Sequence, residues 1–458
     1  MRLLRFLSSL LCLALTSCFS ENQIDSSLDG YWQTVGYGYI FQIKGEDVAI
    51  FETTAVSCIN SILQPGALRR FVAQEEEAQF SVEVPGFIDA AFVIRPGERK
   101  HVKYFNRTDT VSSIRVEKTE ALPSQCSQTE SASFNQSLTV FLSTFKEHYP
   151  FFEQKGISWD QLTNIENRAD GQSDKDLFRF LVELVMPLMD PHIIIVAPSI
   201  NEFFFGVEEF SRQSSLPSGT EHIENIIQNY LLRPQLSYCN NNLILGELEG
   251  GVAYLNVQNF EGCVEESTFE KNLSAFEKEL DAIFQDSAKW SGLIIDIRSN
   301  SGGSDKLALA LISRLAQKQF IAYEKQAAVN YQILKQWSPR QKILTPRSNG
   351  ANFLGKTVLL TDNNSISAAE TFSMASMGRQ PSILRIGGAT RGAFSDILPR
   401  ILPNGFLLGL PNERYVTVSG ESFDQLGIHP DVEVLHSVQE FEAGRDVQLD
   451  AAITQFVD

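Results

Sequence analysis

An α/β core preceded by a helical segment and a small antiparallel β domain is the fold that three features of the sequence predict. From about Asn242 onward, apolar runs of strand length alternate with stretches of helical periodicity. Residues 134–190 carry their apolar side chains at helical spacing. Residues 30–128 alternate apolar and polar residues between turn formers, as half-buried antiparallel strands do.

In residues 30–128 the strands are YWQTVGYGYIFQI, EDVAIFET and QFSVEV. They predict a small barrel or sandwich, with structural support as its plain role and peptide gating as its functional one. The helical subdomain, residues 134–200, contains SLTVFLSTFKEHYPFFEQ and SDKDLFRFLVELVMPLMD, with Ser173 and Asp174 as N-terminal caps of the second helix. DPHIIIVAP follows and places His192 where a helix gives way to a strand. Residues 201–241 connect. In the core, residues 242–458, the strands are GGVAYLNV, SGLIIDIR, TVLLTD and PSILRIGG. The helices between them are FEKNLSAFEKELDAIF, DKLALALISRLAQK and AAETFSMASMG. That succession implies a parallel-rich sheet with helices packed on it.

Composition is that of a globular protein, 43% hydrophobic and 21% charged over 458 residues, enough for two or three domains. A formal net charge of −18, with no Lys/Arg block, argues against a nucleic-acid partner. Residues 1–17 read as an export signal: Arg2 and Arg5 precede an apolar stretch too short to span a bilayer. The stretch ends in Leu15-Thr16-Ser17-Cys18, which resembles the bacterial lipobox and makes Cys18 the expected lipidation site and membrane anchor. Phe19 after it points to the outer membrane, facing the periplasm, and residues 18–29 read as a tether. Four further cysteines in an exported chain imply two disulfides. Three pairings exist, and proximity favours Cys58–Cys126 and Cys239–Cys263. No CxxC or HExxH spacing occurs, so neither a metal site nor a cofactor is expected.

The chemistry centres on DNNSISAAETF, residues 362–372, a serine-rich turn between a buried strand and a helix. Ser367 and Glu370 form an S-x-x-E capping box, which by itself needs no function. The same turn sets a hydroxyl at the positive end of a helix dipole, a place for a nucleophile. A serine nucleophile needs a base, either a lysine or a histidine oriented by a carboxylate. No lysine follows Lys356, which excludes a downstream Ser/Lys dyad. Of the histidines, His192 has the best position; His148 lies within a helix, His436 follows a strand, and His429 in GIHPD is its competitor.

GLIIDIRSNSGG (292–303), the serine turn, RIGGATRGAF (385–394) and LGIHPDVEV (426–434) occur in that order. Together they resemble the tail-specific, or C-terminal-processing, serine peptidase family, and weaker similarity extends back through LMDPH. The resemblance implies a crotonase-like α/β core and a nucleophile at Ser367, with Ser365 as the fallback. In the lysine-dependent branch the base would fall near Ala393, which cannot serve. The chain therefore resembles the histidine-dependent branch typified by the tricorn core protease, and that resemblance assigns the base to His192. The branch's E-x-x-G loop reads Asp424-Gln425-Leu426-Gly427 here, giving Asp424 the orienting role, with Glu421 as a weaker substitute. Acyl transfer needs backbone donors for the developing oxyanion, for which Ala368, Gly302 and Gly303 are the candidates. Thr390, Arg391 and Gly392 would line the cleft, and a peptide or unfolded protein tail would be the substrate. The competing reading is a weakly active or inactive binding lipoprotein that kept this fold.

Overall fold

The computed structural model describes residues 28–70, 78–84, 88–128, 131–163, 173–206, 217–232, 235–264 and 268–457. The proposed leader, Cys18 and nearly all of the tether lie outside them. Leu28, assigned to the tether, is buried, and Asp29 Oδ1 accepts from the Gly45 N–H at 3.0 Å, so folded structure already begins there.

The N-terminal region forms an antiparallel sheet because its period-two pattern gives each strand one apolar face. Its order runs Cys58–Asn60, Asp47–Thr53, Tyr39–Lys44, Gly30–Thr34, Ser113–Thr119, Val102–Arg107, Ile88–Pro96, Ala78–Val84 and Gln64–Pro65, with Arg69–Arg70 beside Ala78–Val84. Phe41, Phe80, Phe92 and Phe105 pack edge-on and tilted on its inner face. A disulfide joins Cys58 to Cys126, and a second joins Cys239 to Cys263, the pairings that proximity favours.

Helix Phe134–His148 begins at Ser133 and helix Asp174–Val185 at Ser173, each hydroxyl accepting from a first-turn N–H. Their apolar faces, among them Phe141, Phe145, Leu177 and Leu181, share one core with the β domain and with Leu398, Leu408 and Leu410 from the C-terminal half. The β domain is thus built into the molecule and not hung from it.

The core sheet runs Leu236–Tyr238, Leu243–Leu248, Val252–Val257, Gly292–Asp296, Thr357–Thr361, Leu384–Gly387 and Val432–Glu433, parallel from Val252–Val257 onward. Its central strands are buried on both faces, which is why they read as unbroken apolar runs. Helices Phe269–Phe284, Asp305–Ser313 and Ala368–Gly378 cover one face, while Gly219–Asn229 and Val447–Ile453 cover the other. Each fully buried Leu or Ile contributes about 2 kcal/mol to this packing.

A separate antiparallel sheet, ordered Glu202–Phe205, Ile194–Ala197, Leu407–Pro411 and Ile397–Ile401, joins the helical subdomain to the core. Ile194 pairs with Gly409, where a Cβ would lie 3.2 Å from that of Ile194 and 2.7 Å from Ile397. This pairing carries the segment holding His192 onto the C-terminal half.

Candidate active site

Strand Thr357–Thr361 gives way to a tight turn before the helix Ala368–Gly378, whose residues 368–376 are all buried. Asp362 Oδ1 accepts from the N–H groups of Ser299 (3.0 Å) and Asn364 (2.9 Å). Asn300, fully buried, ties the glycine turn to the serine turn. Its carbonyl accepts from Ile366 N–H (3.0 Å), its Oδ1 from Gly302 N–H (2.8 Å), and its Nδ2 donates to the Val257 carbonyl (2.8 Å). Ser365 is fully buried; its hydroxyl donates to the Ile297 carbonyl at 2.8 Å and accepts from Asp362 N–H at 3.1 Å. Those bonds leave it no path to a substrate and remove it as the fallback nucleophile.

Ser367 stands at φ 59°, ψ −117°, whereas the capping serines 133, 173 and 218 have extended backbones. A non-glycine residue held there costs roughly 1–3 kcal/mol, which the surrounding structure must offset. The Ser367–Glu370 pair keeps the reciprocal layout of a capping box, but no hydrogen bond of ordinary cap geometry ties Oγ to the helix. The Glu370 N–H donates to the Ser367 carbonyl at 2.8 Å.

The Glu370 carboxylate is buried behind this turn and does more than cap. Oε1 accepts from Gly392 N–H (2.5 Å) and Thr390 Oγ1 (2.7 Å); Oε2 accepts from Ala393 N–H (2.7 Å) and Ser367 N–H (3.2 Å). Burial pushes its carboxyl up to about 7 although these donors favour the charged form. One side chain therefore ties the serine turn to the 390–393 loop.

Gly302 abuts the serine. A Cβ on it would lie 2.7 Å from Ser367 Cβ and 3.3 Å from Ala368 N, and its φ of 99° also suits glycine. Its N–H is already bonded to Asn300, so of the three expected donors Gly302 supplies space instead. Among the described residues, neither Ala368 N–H nor Gly303 N–H has a hydrogen-bond partner.

Ser367 and His192 line the same cavity, of about 420 Å³. His192 is buried, its backbone N–H donates to Asp190 Oδ1 at 3.1 Å, and its ring Nδ1 has no partner among the described residues. Burial pushes the imidazole below its ordinary range, against the opposing charges of Asp190 and Asp396 and the nearby Ser395 carbonyl. Asp190 is fixed in turn by Tyr149 Oη, which donates to Oδ2 at 2.8 Å. The other histidines lie elsewhere: His148 is buried beneath Gly38 of the β domain, His222 sits among Asp296 and Asp446, His436 packs on Phe441, and His429 is exposed.

Lys325, upstream of the turn, is buried and donates to Asp396 (2.9 Å), Ser112 (2.8 Å) and Tyr415 Oη (2.9 Å), with Glu413 Oε2 also at 2.9 Å. Although burial pulls it down, the Asp396 and Glu413 carboxylates hold this ammonium above its ordinary value. A lysine held in its charged form cannot accept a proton.

Asp424 does not line the cavity. Its Oδ2 accepts from Tyr415 N–H (3.2 Å) and Ser422 Oγ (2.7 Å), and Oδ1 is buried without a partner. Burial pushes it up to about 7, and the Glu370 and Asp190 charges add to that against those two bonds. No hydrogen bond joins it to His192 among the described residues; the nearest link is a long one, from Gln425 Nε2 to Asp190 Oδ2 at 3.5 Å. Glu421 is exposed and its N–H is bonded to Thr417 Oγ1.

Thr390, Arg391 and Gly392, expected to line the cleft, do not border the cavity. The buried Glu370 carboxylate draws this loop inward. Thr390 Oγ1 also accepts from Ile428 N–H at 2.8 Å, the Gly392 carbonyl accepts from Gln425 N–H at 2.7 Å, and Arg391 Nη2 donates to Asn364 at 3.4 Å. The next residues along, Ser395, Asp396 and Ile397, border the cavity instead. Glu370, Asn300 and Asp190 escaped the sequence reading; Glu370 showed only as a cap, and the other two stood inside motifs without a role of their own.

Among the described residues no group of three or more His, Cys, Asp or Glu side chains is placed to hold a metal, and no helix is long and apolar enough to cross a membrane.

Residues 251–434 match the profile of Peptidase family S41. The chain is 27% identical over 178 residues, 38% of its length, to the Tricorn protease of Thermoplasma acidophilum, and the match spans 15% of that relative. Among solved structures, a candidate peptidase from Parabacteroides merdae ATCC 43184 superposes with a TM-score of 0.60 at 20% identity, over 71% of this chain and 97% of the other. Mature CPAF complexed with lactacystin gives 0.50 at 11% identity, over 70% and 98%. Both likenesses cover a larger share of this chain than the segment matched by the family profile. The ordered motifs of the sequence, from GLIIDIRSNSGG to LGIHPDVEV, all fall within the residues that match Peptidase family S41.

Proposed function

We propose that the protein hydrolyses peptide bonds in peptides or unfolded protein tails, with Ser367 as nucleophile and His192 as general base. The observation that carries the reading is that a serine in a strained turn, at the start of a buried helix, shares one cavity with a buried histidine whose imidazole burial pushes below its ordinary range. His192 takes the proton of Ser367 Oγ as Oγ bonds to the scissile carbonyl carbon. The oxyanion that forms is met by the N–H groups of Ala368 and Gly303, each such donor being worth roughly 3 kcal/mol. His192 then gives its proton to the leaving nitrogen as the C–N bond breaks, and water releases the acyl group by the reverse sequence. Asp190, the first charge to favour the imidazolium, takes the electrostatic part that the sequence assigned to Asp424.

The core is taken as crotonase-like, supported by its parallel strands with helices on both faces. Export and lipid anchoring at Cys18, on the periplasmic face of the outer membrane, belong to the same reading and rest on the leader sequence. Degradation of an unfolded protein by the wild type, lost in both Ser367→Ala and His192→Ala, is the expected result. Equal degradation by wild type and Ser367→Ala would sink the assignment.

A further inference from the structure

The cavity that holds Ser367 and His192 is not walled by the S41 segment alone. Ile62, Val84, Arg107 and Thr110, all from the N-terminal β domain, border it too. Ile194 and Val196 from the strand after His192, and Ile397 and Leu408 from the C-terminal hairpin, complete an aliphatic lining.

We infer that the N-terminal β domain is the specificity wall of the active site: it closes a pocket for an uncharged aliphatic side chain next to the scissile bond. The inference rests on the peptidase reading and adds what that reading leaves open.

Two observations support it. The first is charge. Among the described residues, the ionisable groups on the cavity wall besides the imidazole are Arg107 and Asp396, and each is already paired with an opposite charge within the protein. Arg107 makes a two-point ion pair with Asp109, Nε to Oδ1 at 2.9 Å and Nη2 to Oδ2 at 2.5 Å. Asp396 accepts from Lys325 Nζ and Ser112 Oγ, both at 2.9 Å. A charged substrate side chain entering here would lose water and meet only charges already offset by a partner, whereas an aliphatic one gains from burial against the aliphatic lining.

The second is rigidity. The wall is seated on the core by buried polar contacts close to the cavity. Ser112 of the β domain bonds both Lys325 and Asp396. Tyr39 Oη donates to the Pro399 carbonyl at 2.8 Å, and Glu52 Oε2 accepts from Ile401 N–H at 2.8 Å. Tyr37 Oη is bonded to Glu413, and the Arg400 guanidinium lies 4.4 Å from the centre of the Tyr39 ring. A wall fixed in this way discriminates by shape, because a misfitting side chain cannot push it aside.

The test uses the full chain and its Ile62→Phe and Val84→Ala variants, on peptides varied at the residues flanking the scissile bond. A small alkyl fluorophosphonate, which needs no side-chain pocket, reports the integrity of Ser367. The wild type is expected to prefer an aliphatic residue over Asp or Lys at one flanking position by about a hundredfold. Ile62→Phe should lower kcat/KM for a leucine at that position about tenfold while leaving alanine within about twofold, and Val84→Ala should move the optimum toward larger residues. Fluorophosphonate labelling should stay within about twofold in both variants. Unchanged side-chain preference in both variants would overturn the inference, as would a loss of labelling parallel to the loss of turnover. Absence of labelling in the wild type would instead remove the peptidase reading on which the inference rests.

Discussion

Among the described residues the reciprocal S-x-x-E capping layout occurs at two helix starts, Ser218 and Ser367, and the two do opposite things. At Ser218 the backbone is extended, the hydroxyl accepts from Glu221 N–H at 3.3 Å, and Glu221 Oε2 accepts from Ser218 N–H at 2.9 Å. Both side chains are exposed, and bonds from the Ser218 N–H and hydroxyl hold the Glu221 carboxyl below its ordinary value. At Ser367 the backbone is left-handed, the glutamate is buried, and burial drives its carboxyl in the other direction, to about 7. Glu370 accepts hydrogen bonds from a loop twenty to twenty-three residues away in sequence. A local motif with one meaning at the surface thus becomes a brace when the fold buries it, and the brace allows a strained serine to persist.

Substitution of the two serines should break this pairing most clearly. Ser367→Ala is expected to lower peptide hydrolysis by about 10⁴-fold or more with the thermal midpoint nearly unchanged. Ser218→Ala is expected to leave turnover intact and to cost roughly 1 kcal/mol of stability in urea unfolding. If the two variants behaved alike, Ser367 would be another cap.

The glutamates sharpen the contrast. Glu370→Ala removes the acceptor of three N–H groups and a hydroxyl, so a loss of roughly 3 kcal/mol and of most activity is expected. Glu221→Ala should cost far less stability, because its carboxylate is exposed to solvent. The pH dependences should oppose each other as well. A carboxyl raised in the folded state supports stability below its unfolded value and loses that support as pH rises through about 7. The depressed Glu221 carboxyl supports stability above its ordinary value and loses it as pH falls. Wild-type unfolding curves measured between pH 4 and 8, compared with each variant, separate the two.

A smaller effect concerns the base. His192 must be neutral to act, and its value is depressed, so the acid limb of kcat/KM should have its midpoint below about 6.5. Asp190→Asn removes the leading charge that opposes the depression. The midpoint should therefore fall further, with a roughly tenfold loss of rate, and a midpoint that stayed put would assign Asp190 a packing role alone. The same profile on Asp424→Asn should move less, because Asp424 has no bond to His192.

Much of the fold is legible in the sequence because it is written in local pattern. Unbroken apolar runs such as GLIIDIR mark strands buried on both faces, and the alternation of QFSVEV marks a half-buried one. The pairing of Cys239 with Cys263 follows from their closeness in sequence. The site was half legible. Ser367 and His192, which line one cavity, stand out in the sequence because each sits at a punctuated junction. Thr390, Arg391 and Gly392 were misplaced because a glutamate at position 370 reads as a cap until its burial is known. Ile62, Val84 and Arg107 could not be found at all. Their role arises from Ser112, Tyr39 and Glu52 meeting the C-terminal half across hundreds of residues, which no periodicity reports.

The central claim is most directly tested by mapping where a fluorophosphonate attaches at neutral pH, in the wild type and in His192→Ala. The account predicts adduct on Ser367 alone, with attachment strongly slowed when the imidazole is removed. An adduct at equal rate without His192, or no adduct while a control serine hydrolase reacts fully, would contradict it.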